Sequence, residues 1–267
     1  MSNIFDIKRF GKYLMYDLNN ARNQYSVSFI IVSLMPIVVF TILNIVRICF
    51  GLDHSYFNGI SIFAVIMSYF IAVITFPAKA YGGITDKRKG SNFLLVPASS
   101  FEKSLSMIVI CCIIFPVLLW AVFFASDSLL SAIFPMSYGT GAIGMIKEWY
   151  TSDISEYIQI SLPAIGAATW CSTILAFALG AILFKKSKAA KTILCLMALG
   201  MVYSSIFAAL GENGLLDNLV ARFGAYDSDF EMSKALNMFN VWSNISTGIT
   251  IAALSAGIFF RIKTLKH

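Results

Sequence analysis

The sequence predicts an all-α, polytopic integral membrane protein with six transmembrane helices, and three observations carry that prediction. Only 13% of the 267 residues are charged, 58% are hydrophobic, and the mean hydropathy is +0.77. A water-soluble domain has about a quarter of its residues charged. The second observation is that six stretches, 23–46, 54–78, 104–126, 157–184, 192–211 and 235–260, contain no Asp, Glu, Lys or Arg. Each can cross a bilayer, because about 20 residues rising about 1.5 Å each traverse a hydrocarbon core of about 30 Å. The third is the partition of charge. The pieces 1–22, 79–103, 185–191 and 261–267 hold 16 of the 20 Lys and Arg residues, and 10 of the 14 acidic residues fall in the pieces between the others. Basic connections stay on the cytoplasmic side, so both termini are expected there.

Taken in order, residues 1–22 lack a compact apolar core with a small-residue cleavage site, which argues against a signal peptide. Ile4, Ile7, Phe10, Leu14 and Leu18 recur at three- and four-residue spacings, with Lys8, Lys12 and Asp17 on other faces. That pattern predicts an amphipathic N-terminal helix in the headgroup plane, its basic residues against membrane lipid. Spans one and two follow, separated by a short outer turn. The segment 79–103 is the longest cytoplasmic connection. After span three comes an outer segment, 127–156. Within it, 128–146 is free of charge but broken by Pro135, Gly139, Gly141 and Gly144. Counting it as a span would export the basic run KKSKAAK at 185–191, so it is expected to be re-entrant or surface-lying. Span five, 192–211, is the shortest. A second outer segment, 212–234, leads into span six. That span is polar on its outer half, and Asn240, Ser243, Asn244 and Thr247 form a candidate lining face for a subunit interface or a transport route. Hydrogen bonding between helices is the plainer use of such residues.

Catalytic signals are absent. There is no GxxxxGK[ST] motif, no metal-ligand spacing among His54, His267 and the five cysteines, and no disulfide framework. The chain is expected not to be an enzyme, to carry no cofactor and no metal, and to bind no nucleic acid. None of the six stretches contains an ionisable Asp, Glu, Lys or Arg, which argues against an ion-coupled carrier.

The most informative stretch lies at 85–103. Thr85 or Asp86 can cap a short helix, Lys87, Arg88 and Lys89 charge its start, and Phe93, Leu94, Leu95 and Val96 form an apolar patch that one short helix cannot bury. Pro97 stops that helix. Ser99 or Ser100 can cap the next one, with Glu102 or Lys103 in its first turn. Such a patch needs lipid or a protein partner.

The run KRKGSNFLLVPASSFEKSLS at 87–106, preceded by FPAKAYGG at the end of span two, resembles the permease (transmembrane) subunit of an ABC-2 type transporter, in its compact six-span, Bacteroidetes-like bacterial form. The resemblance covers the whole chain in topology and residues 87–106 in motif. It implies that Arg88, Gly90, Phe93, Leu94, Leu95, Pro97, Ser99, Glu102 and Lys103 belong to a coupling helix that docks on a separate ABC ATPase subunit. It further implies a homodimer, or a heterodimer with a second permease chain, in the cytoplasmic (inner) membrane. The chain departs from the family in having substantial outer segments at both 127–156 and 212–234. Two alternatives remain at this point: a non-transporting scaffold, maturation or sensing factor, and a secondary carrier or channel.

Overall fold

The computed structural model describes residues 5–51, 58–86, 90, 93, 95–138, 162–212 and 229–265. All of its regular structure is helical among those residues. Helix α1, Ile7–Phe50, starts at Asp6, whose carboxylate accepts from the backbone N–H groups of Lys8 and Arg9. It ends at Gly51, in the left-handed conformation at φ 64° that glycine adopts without strain. At 44 residues it is about 66 Å long, twice the hydrocarbon thickness.

This overturns the expected division into an interfacial helix and a separate span. Nothing between Ile7 and Phe50 breaks the helix, and Pro36 removes one backbone bond without ending it. The face also differs from the expected one. Tyr13, Asp17, Ala21 and Tyr25, spaced four residues apart, are the buried residues, whereas Ile7 is exposed. Asp17, expected on a solvated face, points into the protein. In a membrane bundle small and hydrogen-bonding residues pack between helices while apolar residues face lipid.

Helix α2, Asn58–Ala80, passes into a 3-10 turn at Gly82–Thr85. Helix α3, Ser100–Val109, continues through a π-helical segment, Ile110–Ile114, into α4, Phe115–Ile133, making one rod that is 34 residues long. Residues 128–133 therefore extend span three. The rod stops at Phe134, and Pro135 opens the one-turn helix α5, Pro135–Tyr138, as a residue without a donor can at a first helical position. Residues 139–146 of the expected re-entrant piece lie outside the described residues. Helices α6, Leu162–Leu183, α7, Lys188–Glu212, and α8, Asp229–Thr264, complete the chain.

Helix α6 is the hub. It packs against α2, α7, α8 and the π segment, while α1 packs on α2, α3 and α4. Its Ile174, Leu175, Ala178 and Ile182 are fully enclosed, which suits a helix that is apolar on all sides. The π segment frees a backbone carbonyl inside the bundle, and Trp170 of α6 satisfies it by donating Nε1–H to Cys111 O at 3.1 Å. Around that bond the rings of Phe76 and Phe115 stack at 3.8 Å, with Tyr25 edge-on to both.

Among the described residues five helices are long and apolar enough to cross a membrane: Ile7–Phe50, Ala64–Thr85, Ser100–Ile133, Gly166–Leu183 and Asn244–Thr264. Large apolar residues such as Ile31, Val38 and Ile45 on α1, Val117 on α4, and Leu199 and Val202 on α7 are exposed. Surface of that kind has to meet hydrocarbon. The chain is a polytopic, all-α membrane bundle.

The contact between α6 and α7 depends on Gly180. A Cβ there would lie 1.9 Å from Thr192 Oγ1 and 2.8 Å from its Cγ2. Gly180→Ala is expected to cost about 1–3 kcal/mol through overpacking, read as a lower unfolding temperature in detergent. Adding Thr192→Ala, which removes both of those atoms, should recover part of the loss.

Candidate functional site

The candidate site is the end of the bundle where the basic residues gather. Here the start of α1, the turn after α2, the start of α3, the α6–α7 connection and the end of α8 meet. The start of α3 is built by its own sequence. Ser99 is the N-cap: its Oγ accepts from Glu102 N at 3.2 Å, and Glu102 Oε2 accepts from Ser99 N at 2.8 Å. This reciprocal capping box satisfies two backbone donors that the helix leaves unpaired.

Glu102 has a second set of partners from a distant part of the chain. Its side chain has 0% exposure. Oε1 accepts from Asp6 N at 3.0 Å and from Arg9 Nη2 at 2.7 Å, while Arg9 Nε donates to both carboxylate oxygens at 2.9 and 2.8 Å. Planar fork geometry of this kind makes the strongest class of ion pair. Glu102 precedes the charge-free stretch of its helix, and its pKa is held down at about 2. Hydrogen bonding from Arg9 is the largest cause. Burial opposes it, and the N–H groups of Ser99 and Asp6 reinforce it.

Lys103, the next residue, is also buried. It reaches back to Phe93, donating Nζ–H to the carbonyl oxygen at 2.7 Å and lying 4.9 Å from the ring centroid. Burial pushes its ammonium below the ordinary lysine value. Lys103 thus fixes the segment before Pro97 against α3. Leu95, between these anchors, is 80% exposed, and Pro97 is exposed beside it. Gly90 is buried and donates its N–H to Asp86 O at 2.7 Å. Arg88 and Leu94 lie outside the described residues.

The turn at Gly82–Thr85 is held from the other side. Thr85 Oγ1 donates to Gly82 O at 3.1 Å and to Phe184 O at 3.5 Å, so it closes the turn. Lys188 at the start of α7 donates to the Gly82 carbonyl and lies 3.8 Å from the Asp86 carboxylate. Arg261 of α8 donates to Ile182 O at 3.1 Å.

The structure therefore brings Phe93, Leu95, Pro97, Ser99, Glu102 and Lys103 together at one end of the bundle. It adds Asp6, Arg9 and Lys188, which sequence reasoning missed. The S-x-x-E signature at 99–102 was a readable signal for the cap. Nothing local could name Arg9 as the partner of Glu102, because the two are 93 residues apart. The second candidate set is separate. Asn244 is exposed on α8 and Thr247 is half-buried, while Asn240 and Ser243 lie on the α8 backbone with side chains outside the described set. Among the described residues no group of three or more His, Cys, Asp or Glu could hold a metal ion.

Two outcomes follow from this geometry. Ser99→Ala should cost about 1 kcal/mol of stability, the usual value of an N-cap, measured by denaturation in detergent. The Glu102 carboxylate also carries a pH dependence. Its folded pKa is depressed, so its contribution is complete above about 4.5 and is lost as pH falls toward about 2. Glu102→Gln should abolish that acid-side loss and increase proteolytic cleavage near residues 5–9 at neutral pH.

Protein-family models, curated proteins and solved structures were all compared with the chain, and none matches it. What sequence and structure establish together is a polytopic helical membrane bundle of a kind that suits a transporter.

Proposed function

We propose that this chain is the transmembrane subunit of an ATP-driven export system of the ABC type, and that its basic end faces the cytoplasm and docks a separate ATPase subunit. The observation that carries the proposal is the exposure of Leu95 on a segment that is otherwise anchored. Lys103 fixes the chain before it and the Ser99–Glu102 capping box fixes the chain after it. Leu95 itself projects 80% exposed, outside every charge-free stretch. An exposed apolar residue on an anchored segment, with Lys87, Arg88 and Lys89 close by in sequence, suits the apolar core and charged rim of a protein interface. The resemblance of residues 87–106 to a coupling helix points the same way. Six crossings follow if α7, which carries the charge-free stretch 192–211, also spans the membrane.

Leu95→Asp would place a carboxylate in the docking contact and should reduce co-purification with the ATPase subunit roughly a hundredfold, with monodispersity unchanged. Undiminished co-purification of the well-folded variant would leave the exposed patch to lipid headgroups and favour a scaffold. Topology is tested separately, in a cysteine-free background. Ser187→Cys and Asp227→Cys should label from opposite sides of the membrane in intact cells, and labelling of both from outside would contradict the orientation.

A further inference from the structure

Asp17 takes part in neither the docking face nor the ion pairs, yet it is only 5% exposed. It lies six residues before the charge-free stretch of α1, where α1, the turn after α2 and α3 converge. Ser106 of α3 donates Oγ–H to Asp17 Oδ2 at 2.7 Å, and Tyr81 donates its O–H to the same oxygen at 3.5 Å. The other titratable groups facing it are Tyr13, one turn earlier on α1, and Cys111 of the π segment. Neither carries a positive charge. The salt bridges among the described residues join Arg9 to Glu102 and Lys188 to Asp86.

A buried carboxylate ordinarily keeps its charge by pairing with a cation, as Glu102 does with Arg9, about two helical turns before Asp17 on α1. Among the described residues the donors to Asp17 are both hydroxyls. Two opposing effects decide its state: hydroxyl hydrogen bonds favour the ionised form, and burial favours the neutral one. Burial is the larger, and it pushes the carboxyl up from 3.8 to about 6. The same end of the bundle therefore holds two buried carboxylates with opposite character, one locked in its charged form and one poised to take up a proton.

We propose that Asp17 is a proton-binding site whose occupancy sets how tightly α1 is held to α3 and to the turn after α2. Ionised, it accepts charge-assisted bonds from Ser106 and Tyr81 and ties three elements together. Protonated, its bonds to the same hydroxyls fall to neutral strength, about half, and its new O–H needs an acceptor of its own. Because burial outweighs those bonds, proton uptake relieves the buried charge and holds the junction more tightly, and loss of the proton loosens it. The stability that Asp17 contributes is complete below about 3.8 and lost as pH rises through about 6, the reverse of Glu102.

The test is an infrared pH titration of the full-length chain in lipid nanodiscs, comparing wild type with Asp17→Asn and Ser106→Ala. Wild type should show a protonated-carboxyl C=O band that disappears with a midpoint near pH 6 and is missing from Asp17→Asn. Ser106→Ala removes the shorter donor to the ionised form at the cost of one buried oxygen, and should move the midpoint up by about one unit. Amide exchange across α3, corrected for its intrinsic pH dependence, should fall on protonation in wild type and not in Asp17→Asn. The proposal is overturned if wild type and Asp17→Asn give the same carboxyl titration, or if Ser106→Ala leaves the midpoint in place. Should Asp17→Asn fail to fold, the Ser106→Ala shift decides alone.

Discussion

A carboxylate shut off from solvent needs a donor for each oxygen, and Glu102 draws its donors from two places that are far apart in sequence. Ser99 N–H comes from its own helix cap, while Asp6 N–H and the Arg9 guanidinium come from the start of α1. One side chain therefore does two jobs: it begins α3 and it clamps the end of α1 onto that beginning. The rest of the basic end is arranged around this clamp. Lys103, adjacent to Glu102, anchors Phe93, and Ser106, one turn further along, reaches Asp17 on α1. Were the clamp to open, α1 would keep its packing on α2 deeper in the bundle but lose its attachment at the surface where a partner would arrive.

The junction is rigid on its other side for a different reason. Lys188 and Arg261 bond to backbone carbonyls of the turn after α2 and of the end of α6. Side chains from α7 and α8 thus cap groups that helix ends leave unsatisfied. Deeper in, Trp170 does the same for the carbonyl released by the π segment. Water cannot reach polar groups in the hydrocarbon region, and at these three places a donor from a neighbouring helix takes the carbonyl instead. Force applied at the basic end would pass into α1, α3 and α6 together, a property that suits transmission from a cytoplasmic motor to a transmembrane path.

The features read correctly from sequence are those decided locally or by bulk composition. The apolar stretches gave the helical membrane class, because length and the absence of charge are sufficient for it. The start of α3 was legible to within one residue, at Ser99 or Ser100, and the capping box with Glu102 selects Ser99. What was not legible depended on packing. The apolar spacing put Asp17, with Lys8 and Lys12, off the apolar face of an interfacial helix, whereas contact with Tyr81 and Ser106 turns it inward. The break expected near residue 22 does not occur, since NNARNQ at 19–24 contains no residue that stops a helix. The π segment at Ile110–Ile114 has no signature in ICCII, and Arg9 gives no local sign of its distant partner.

The proposal that matters most for function is that the exposed apolar segment at the basic end meets a protein and not lipid. It can be read directly by placing a photo-crosslinking amino acid at Leu95 in the otherwise native chain and irradiating intact membranes. An adduct with an ATP-binding subunit, lost when the cells are solubilised before irradiation under conditions that dissociate the complex, is the expected result. Adducts confined to phospholipid would contradict it.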